Sequence, residues 1–501
     1  MNEKFKELKV LLGEISDLHA AAAVLGWDQQ TYMPLGGAES RAMQLTTLAK
    51  KTHELFISDK IGQLLTDIEA KAGDLDYDSF EASLIRVTRR NYDRLKRLSP
   101  KLVAALAKAT SLGDIAWRKA REKSDFSIFQ PDLEKILDLT IQKAEALGYK
   151  ERIYDALLYD FEPEMKTAQV EKLFNEMKVE LIPLVKAISE RQGVLDDSIF
   201  NQDFDIDKQW AFGIEVIKRL GFDFKHGRQD RSTHPFTTSF STNDVRLTTR
   251  VYKDQFKVAL SGSIHEAGHG MYEQGIDQAF NRTILRGGAS TGVHESQSRL
   301  WENVVGRSME FWTFWLPHLK KYFPNQLKDV DVESFYRAIN KVSPSLIRVD
   351  ADEATYNLHI FLRFEIENLM LEHKIKVKEL PELWNLKMKE YFGICPTNDA
   401  EGVLQDIHWS MGGIGYFPTY SLGNLLSVLF YNRALKDVPE IPGQIKEGNF
   451  IPLLNWMREK IYNEGAKYTP DELVKRVTGE PICTKPFLTY VQKKYTDIYG
   501  L

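Results

Sequence analysis

Residues 261–275 read SGSIHEAGHGMYEQG, and His265, Glu266 and His269 in this stretch follow the spacing H-E-x-x-H. On an α-helix, side chains four positions apart share one face, so the two histidines can bind one metal ion. Glu266 lies one step round the helix, where it can reach a water molecule on that ion rather than the ion itself. Zinc lowers the pKa of a bound water to about 7, so Glu266 would act as general base while this water attacks a peptide carbonyl. The stretch alone is equally compatible with two core histidines at a chance spacing.

A catalytic zinc site needs a third protein ligand. The extended pattern H-E-x-x-H-x-x-G-x-x-H requires Gly at 272 and His at 275, and the chain has Tyr272 and Gly275 there, which excludes that class. The next candidate stretch is TGVHESQSRLWENVVG at residues 291–306, where apolar residues recur at helical spacing. We favour its Glu295 as the ligand, because two histidines and a glutamate form the catalytic composition found in peptidases. The neighbouring His294 is the alternative ligand.

The composition is that of an ordinary globular protein. The 501 residues are 43% hydrophobic and 27% charged, and the net charge of −5 gives no general attraction to nucleic acid or to an anionic membrane. No stretch approaches the roughly 18 apolar residues of a membrane span. The first residues, MNEKFKELKV, lack the apolar core of a signal peptide. Cys395 and Cys483 are too few for a disulfide framework, and we expect two buried thiols in a cytoplasmic protein.

Hydrophobic periodicity predicts a mainly α-helical fold. In PDLEKILDLTIQKAEALGY, Pro131 suits the start of a helix and Gly148 its end. The segment HPFTTSFSTNDVRLTTRVY at residues 234–252 differs, because its Thr, Phe and Val residues flank a turn signal. It predicts a small β-hairpin just before the helix that carries His265. The length predicts two lobes, since single cores stop growing at roughly 250–300 residues.

The chain resembles the carboxypeptidase Taq family of zinc metallocarboxypeptidases in several motifs that together span most of its length. These motifs, in chain order, are WDQQTYMPLGGAESRAMQ at 27–44, HPF at 234–236, DVRLT at 244–248, HEAGH at 265–269, HESQ at 294–297, IRVDAD at 347–352 and GVLQDIHW at 402–409. Each motif is weak alone, and their order makes the resemblance specific.

The resemblance implies a single catalytic domain over residues 1–501, with the active-site motifs within residues 234–420. The implied fold has two helical lobes around a deep substrate groove, with a small β-hairpin or sheet beside the zinc helix, as in thimet oligopeptidase and angiotensin-converting enzyme. The implied activity is release of C-terminal amino acids from peptides with broad specificity and resistance to proline. It further implies a homodimer and one zinc ion per chain, for which metals such as Co²⁺ can substitute.

The stretch HWSMGGIGYFPTY at residues 408–420 is similar to the glycine-rich loop of thimet-type enzymes. A peptide hydrolase must stabilise the oxyanion that forms as water attacks. The similarity implies that Tyr420 donates to this oxyanion and that His408 is its partner. Packing of the loop is the alternative role for Tyr420, and more so for Tyr416.

Recognition of a free C-terminal carboxylate favours an arginine, whose planar fork binds carboxylate with two hydrogen bonds. We favour Arg348, because a loop residue ahead of a helix leaves donors free, although nearby carboxylates could make it a structural ion pair. Arg246 in the hairpin is the alternative, with Asp244 as its competing partner.

Three further motif residues are candidate substrate contacts. The resemblance adds Gln405 and Asp406 from GVLQDIHW. The edge of the hairpin could hold an extended peptide by strand addition, and His234 at its start is either a contact or structural.

A ligand histidine usually donates its second ring N–H to a carboxylate or carbonyl. In many zinc peptidases the carboxylate stands four residues after the ligand glutamate, and here that position holds Arg299. Glu302, seven residues after Glu295, lies on the same helical face. We therefore predict that Glu302 orients His265 or His269.

Two functional classes stay open at this point: a zinc exopeptidase and an endo-acting zinc oligopeptidase with the same chemistry. A zinc protein without catalysis is a weaker third class, because a structural site closes with a fourth ligand and needs no base such as Glu266.

Overall fold

The computed structural model describes residues 2–191 and 193–501, which form a mainly helical fold with one small sheet, as expected. The α-helices of these residues are α1 (Asn2–Thr31), α2 (Ala38–Phe56), α3 (Asp59–Glu69), α4 (Phe80–Lys96), α5 (Pro100–Lys123), α6 (Gln130–Leu147), α7 (Ile153–Leu158), α8 (Thr167–Ser189), α9 (Ile206–Leu220), α10 (Phe256–Gly275), α11 (Thr291–Arg299), α12 (Met309–Tyr322), α13 (Val332–Ile339), α14 (Tyr356–Leu371), α15 (Leu380–Phe392), α16 (Pro418–Asp437), α17 (Ile441–Lys446), α18 (Ile451–Lys460), α19 (Pro470–Thr478) and α20 (Lys485–Tyr499). The strands are β1 (Gly227–Arg231), β2 (Thr237–Ser241) and β3 (Asp244–Thr249).

The chain divides into two compact units, and each unit is assembled from three separate segments. Unit 1 comprises Met1–Leu95, Asp197–Ile339 and Leu429–Pro481. Unit 2 comprises Lys96–Asp196, Asn340–Val428 and Ile482–Leu501. The sheet and α10–α13 therefore belong to unit 1, while α5–α8, α14, α15 and α20 belong to unit 2.

The sheet of unit 1 has the strand order β1-β3-β2. Strands β2 and β3 form the predicted antiparallel hairpin, with Thr238 opposite Arg246. Strand β1 pairs parallel to β3, with Gly227 opposite Val245. Val245 and Leu247 of the central strand β3 are fully buried, while β2 is left at one edge.

Helix α10 packs against β3, α9 and α11. Its apolar side chains, such as Ile264 and Met271, are buried. Glycine inside a helix costs about 1 kcal/mol relative to alanine, so Gly268 needs a packing reason. A Cβ at Gly268 would lie 2.6 Å from the Cα of Ser298 and 2.7 Å from the carbonyl oxygen of Gln297. Glycine at this position therefore lets α11 approach α10 closely.

The regular elements among the described residues of unit 2 are all helices. The predicted helix between Pro131 and Gly148 is present as α6, with Pro131 in its first turn and Gly148 after its last residue at φ 77°. The core of the unit includes an aromatic cluster, in which Tyr154 and Phe174 both pack against Phe364 of α14.

The expectation of two buried thiols is wrong. Cys395 is exposed and Cys483 is partly exposed, and neither forms a disulfide bond. Cys395 lies three residues after the end of α15, where its side chain is exposed.

None of the helices in residues 2–191 and 193–501 combines the length and the apolar character that crossing a membrane requires.

Candidate active site

Three side chains of unit 1 bring potential metal-binding atoms together. His265 and His269 project from α10, and Glu295 projects from α11, so that one donor atom of each lies within 4.8 Å of the others. Oε2 of Glu295 is 3.7 Å from Nε2 of His265 and 3.4 Å from Nε2 of His269. Ligands about 2.0–2.1 Å from a tetrahedral ion are separated by about 3.3 Å, so these distances fit one metal ion with little movement.

Glu295 and His265 are each oriented by a hydrogen bond on the side away from the candidate metal position. Nε of Arg299 donates to Oε1 of Glu295 at 2.7 Å, which leaves Oε2 directed at the histidines. Nδ1 of His265 is 2.8 Å from Oε2 of Glu302, within the π-helical turn Leu300–Val305 that continues α11. Such turns are rare in proteins, and many of those that do occur lie at functional sites.

His269 is held through a second imidazole. Its Nδ1 is 2.6 Å from Nδ1 of His294, and Nε2 of His294 is 2.8 Å from Oε1 of Glu273. His294, the alternative ligand by sequence, therefore lies behind His269 and is not part of the group that converges on the metal position.

Glu266 is buried beside the three candidate ligands. The hydroxyl of Thr237, on the edge strand β2, donates to its Oε2 at 2.6 Å. Burial raises the pKa of Glu266 above its ordinary value, while the neighbouring His265 and the Thr237 hydroxyl lower it. The net rise makes this carboxylate a stronger base than one in water.

Both carboxylates of the candidate metal group are ionised. The pKa of Glu295 is lowered far below its ordinary value, because Arg299, His265 and His269 outweigh the effect of burial. The pKa of Glu302 is lowered to about 2, with His265 and Arg299 outweighing burial. Burial would lower the pKa of His265, but Glu295 and Glu302 raise it to about 9. Two ionised carboxylates around two imidazoles fit a divalent cation.

A second set of motif residues lies in unit 2, centred on Arg348. Its Nε and Nη2 donate to Oδ1 of Asp406 at 3.0 and 2.8 Å, and its Nη1 donates to the hydroxyl of Tyr356 at 2.7 Å. These contacts use three of the five N–H groups of the guanidinium. Arg348 is thus a buried ion-paired residue, and its partner is Asp406 rather than a carboxylate of the following helix.

Arg363 of α14 shares the same carboxylate. Its Nε donates to Oδ2 of Asp406 at 2.6 Å, and its Nη2 donates to Oε1 of Gln405 at 2.8 Å. Gln405 also accepts from the backbone N–H of Arg348 and donates to two carbonyls, which satisfies its amide fully. Asp406 neutralises one of the two positive charges, so this cluster carries one positive charge in excess.

His408 and Tyr420 meet at the end of the glycine-rich loop. Nε2 of His408 is 3.2 Å from the hydroxyl of Tyr420, which stands in the first turn of α16. Burial and the two arginines outweigh Asp406 and lower the pKa of His408 to about 3, so the imidazole is neutral. The loop conformation depends on Gly415, which has φ 99° and where a Cβ would lie 2.9 Å from the backbone of Leu157.

The hairpin candidates have their own contacts in unit 1. Nε and Nη2 of Arg246 donate to the two carboxylate oxygens of Asp244 at 3.0 Å each, and the guanidinium lies 4.3 Å from the centre of a Trp27 ring. Asp244 is therefore the competing partner that the sequence indicated. His234 is exposed in the turn before β2.

Sequence reasoning missed Thr237, Glu273 and Arg363, each of which contacts a candidate site residue. Thr237 lies two positions after the HPF proline, Glu273 lies four positions after His269, and Arg363 lies in the middle of a helix. The i, i+4 spacing places Glu273 on the helical face of His269, but its carboxylate contacts His294 instead. Thr237 and Arg363 reach their partners only through tertiary packing, which no local pattern reveals.

Comparisons with known proteins agree along the whole chain. A family model described as carboxypeptidase Taq (M32) metallopeptidase matches residues 7–495. Carboxypeptidase 1 of Bacillus subtilis is 38% identical over 99% of each chain, and thermostable carboxypeptidase 1 of Thermus thermophilus is 39% identical over 97% of each. The crystal structure of an M32 carboxypeptidase from Deinococcus radiodurans superimposes with a TM-score of 0.96 at 39% identity, covering 100% of both chains.

Proposed function

The chain belongs to the carboxypeptidase Taq (M32) family of metallopeptidases and is a metallocarboxypeptidase that acts on peptides, and we propose that its metal is zinc. The observation that carries this proposal is the convergence of His265, His269 and Glu295 beside the buried Glu266. Two imidazoles and one carboxylate with an open position are typical of catalytic zinc. We propose one ion per chain, and Co²⁺ would fit the same donors.

We propose that Glu266 is the general base. When bound, the ion supplies Lewis acidity, which lowers the pKa of water and polarises a carbonyl. Glu266 accepts the proton that the attacking water loses. The hydroxyl of Thr237 holds Oε2 of Glu266, which fixes the carboxylate and leaves Oε1 for the proton.

We propose that Tyr420 donates a hydrogen bond to the oxyanion that develops on the scissile carbonyl. Its single hydroxyl proton is then donated to the oxyanion, so Nε2–H of the neutral His408 imidazole must donate to the hydroxyl oxygen of Tyr420. His408 therefore orients Tyr420.

We propose that Arg348 binds the C-terminal carboxylate of the peptide. The positive charge in excess around Asp406 supports this choice, because a second carboxylate would neutralise it. Gln405 and Asp406 then act through the arginines, by holding them in place. Arg246 remains the alternative clamp, and contact of His234 or the β2 edge with substrate remains a prediction.

The test compares peptides that have a free C-terminus with the same peptides amidated. Amidation removes the charge that the arginine binds, which costs about 1.5–3 kcal/mol, or about ten- to a hundred-fold in kcat/KM. Arg348→Ala should lower kcat/KM on free peptides by a similar factor and hardly change it on amidated ones. Arg246→Ala is the matched control, because it removes the other candidate guanidinium.

The ratio of the two rates decides the outcome, since a general loss of folding lowers both rates together. If only Arg246→Ala loses the discrimination, Arg246 is the clamp. If amidated peptides are cleaved internally at full rate, the endo-acting oligopeptidase is the correct function.

Finer features of the enzyme are also proposals. The family model covers segments of both units, which supports one catalytic domain over residues 1–501. The family resemblance supports a homodimer, which light scattering would test, and broad specificity with resistance to proline. Two cysteines that form no disulfide bond support a reducing cytoplasmic location.

A further inference from the structure

The two candidate ligand histidines of α10 are supported in different ways. Nδ1 of His265 meets a carboxylate directly, that of Glu302 at 2.8 Å. Nδ1 of His269 meets another imidazole, that of His294 at 2.6 Å, and a carboxylate follows only at the far side of that ring, on Glu273. Both ring nitrogens of His294 are thus engaged, and neither is left for the metal.

The directions of these hydrogen bonds follow from proton counting. A neutral imidazole carries one N–H, so two nitrogens that face each other must be one donor and one acceptor. If Nε2 of His269 binds the metal, its proton stands on Nδ1 and is donated to Nδ1 of His294. The proton of His294 then stands on Nε2 and is donated to Oε1 of Glu273.

The far end of this chain is anchored. Oε2 of Glu273 accepts from the hydroxyl of Ser239 on β2 at 2.6 Å. The same hydroxyl accepts from Nη1 of Arg286 at 2.8 Å, and that nitrogen is 3.5 Å from Oε2 of Glu273. The carboxylate of Glu273 is thus fixed by Ser239, Arg286 and His294. Because Glu273 is buried, these contacts lie in a region of low dielectric, which strengthens them.

We propose that His294 and Glu273 are positioning residues for the metal site. They hold His269 in the tautomer and the ring orientation that leave Nε2 free for the ion. This inference rests on the proposed function, because it takes His265, His269 and Glu295 as the ligands.

The test measures metal affinity by competition with a chelator, in the full-length chain and with zinc as the probe. His294→Phe keeps a ring of similar size against Tyr272, whose ring centre is 5.0 Å away, and removes both nitrogens. We expect zinc affinity to fall about 10–100-fold, and by a smaller factor in Glu273→Gln, where a neutral oxygen can still accept. The double variant should bind zinc no more weakly than His294→Phe alone, because Glu273 acts only through His294.

His318→Phe is the matched control. His318 is also a partly buried histidine of unit 1 beside a glutamate, with Nδ1 3.5 Å from Oε1 of Glu215. Its replacement should leave zinc affinity unchanged.

The possible outcomes distinguish a failure of this inference from a failure of the proposed function on which it rests. Wild-type zinc affinity in His294→Phe, or losses that add up in the double variant, would overturn the inference and leave the metal site standing. A wild-type chain that binds no divalent metal would overturn the proposed function and this inference together.

Discussion

At the scale of single residues, Glu302 directly contacts a candidate ligand histidine, His265. Replacing it by alanine removes the acceptor of His265 and leaves Arg299 and Arg307 without its carboxylate. We expect Glu302→Ala to lower metal affinity about 10–100-fold, measured by chelator competition. Glu302→Gln keeps an acceptor oxygen and should lose less. Equal affinity in wild type and Glu302→Ala would assign Glu302 to the structural charges of the helix.

Sequence patterns predict a site best where its residues lie on one helix or on two helices that follow each other in the chain. His265, Glu266 and His269 follow helical spacing, and Glu295 stands on the next helix, so the sequence alone brought them into one hypothesis. The same reasoning could not identify Asp406 as the partner of Arg348, because the two are 58 positions apart and meet through packing.

At the scale of elements, the hairpin was readable and the third strand was not. Strands β2 and β3 contain Thr, Phe and Val residues on both sides of a turn signal, whereas β1 reads GRQDR and has no alternating apolar residues. A parallel edge strand is also not joined to its partner by a short turn, so the sequence contains no turn signal for this pairing. The π-helical turn Leu300–Val305 was equally unreadable, since the sequence there has ordinary helical periodicity.

Helix α14 carries a buried carboxylate that fastens the glycine-rich loop. Glu367 accepts from Nε1 of Trp409 at 2.9 Å, from the N–H of Gly415 at 3.1 Å and from the hydroxyl of Tyr154 at 2.8 Å. Burial raises its pKa from 4.5 to about 7, although these donors oppose the rise. A pKa raised by folding stabilises the protein below the unfolded value and ceases to do so as pH passes the folded value.

We therefore expect the unfolding free energy of the wild type to fall, relative to that of Glu367→Gln, by up to about 3 kcal/mol as pH rises from 4.5 to 8. Chemical denaturation at a series of pH values measures this difference. Glu365→Gln is the control on the same helix. Burial raises the pKa of Glu365, but Lys178 and Lys387 outweigh burial and lower it. The unfolding free energy of the wild type, relative to that of Glu365→Gln, should therefore fall as pH falls. The same pH trend in both variants would contradict the assignment.

At the scale of the whole molecule, the sequence indicated two lobes but not which residues form each unit. Each unit takes three separate segments, and the boundary in α16 falls inside a continuous helix, between Val428 and Leu429. Composition and periodicity are local properties. They carry no information on which distant segments pack together, so this division could be read only from the structure.

We expect the bound metal to stabilise the fold. An ion that binds only the native state adds about 4 kcal/mol when its free concentration is about 1,000 times Kd. Removing the metal with a chelator should lower the thermal unfolding temperature, and adding zinc back should restore it. His269→Ala lacks one candidate ligand and should show a much smaller shift. An equal shift in this variant would place the metal elsewhere.

The central claim is that Glu266 takes the proton of a water activated at the site formed by His265, His269 and Glu295. Glu266→Gln tests it most directly when metal content and turnover are measured on the same preparation. The account predicts one zinc ion per chain, as in the wild type, and a turnover lower by about 10²–10⁴-fold, because the proton has no acceptor. Near-normal turnover with a full complement of zinc would contradict it.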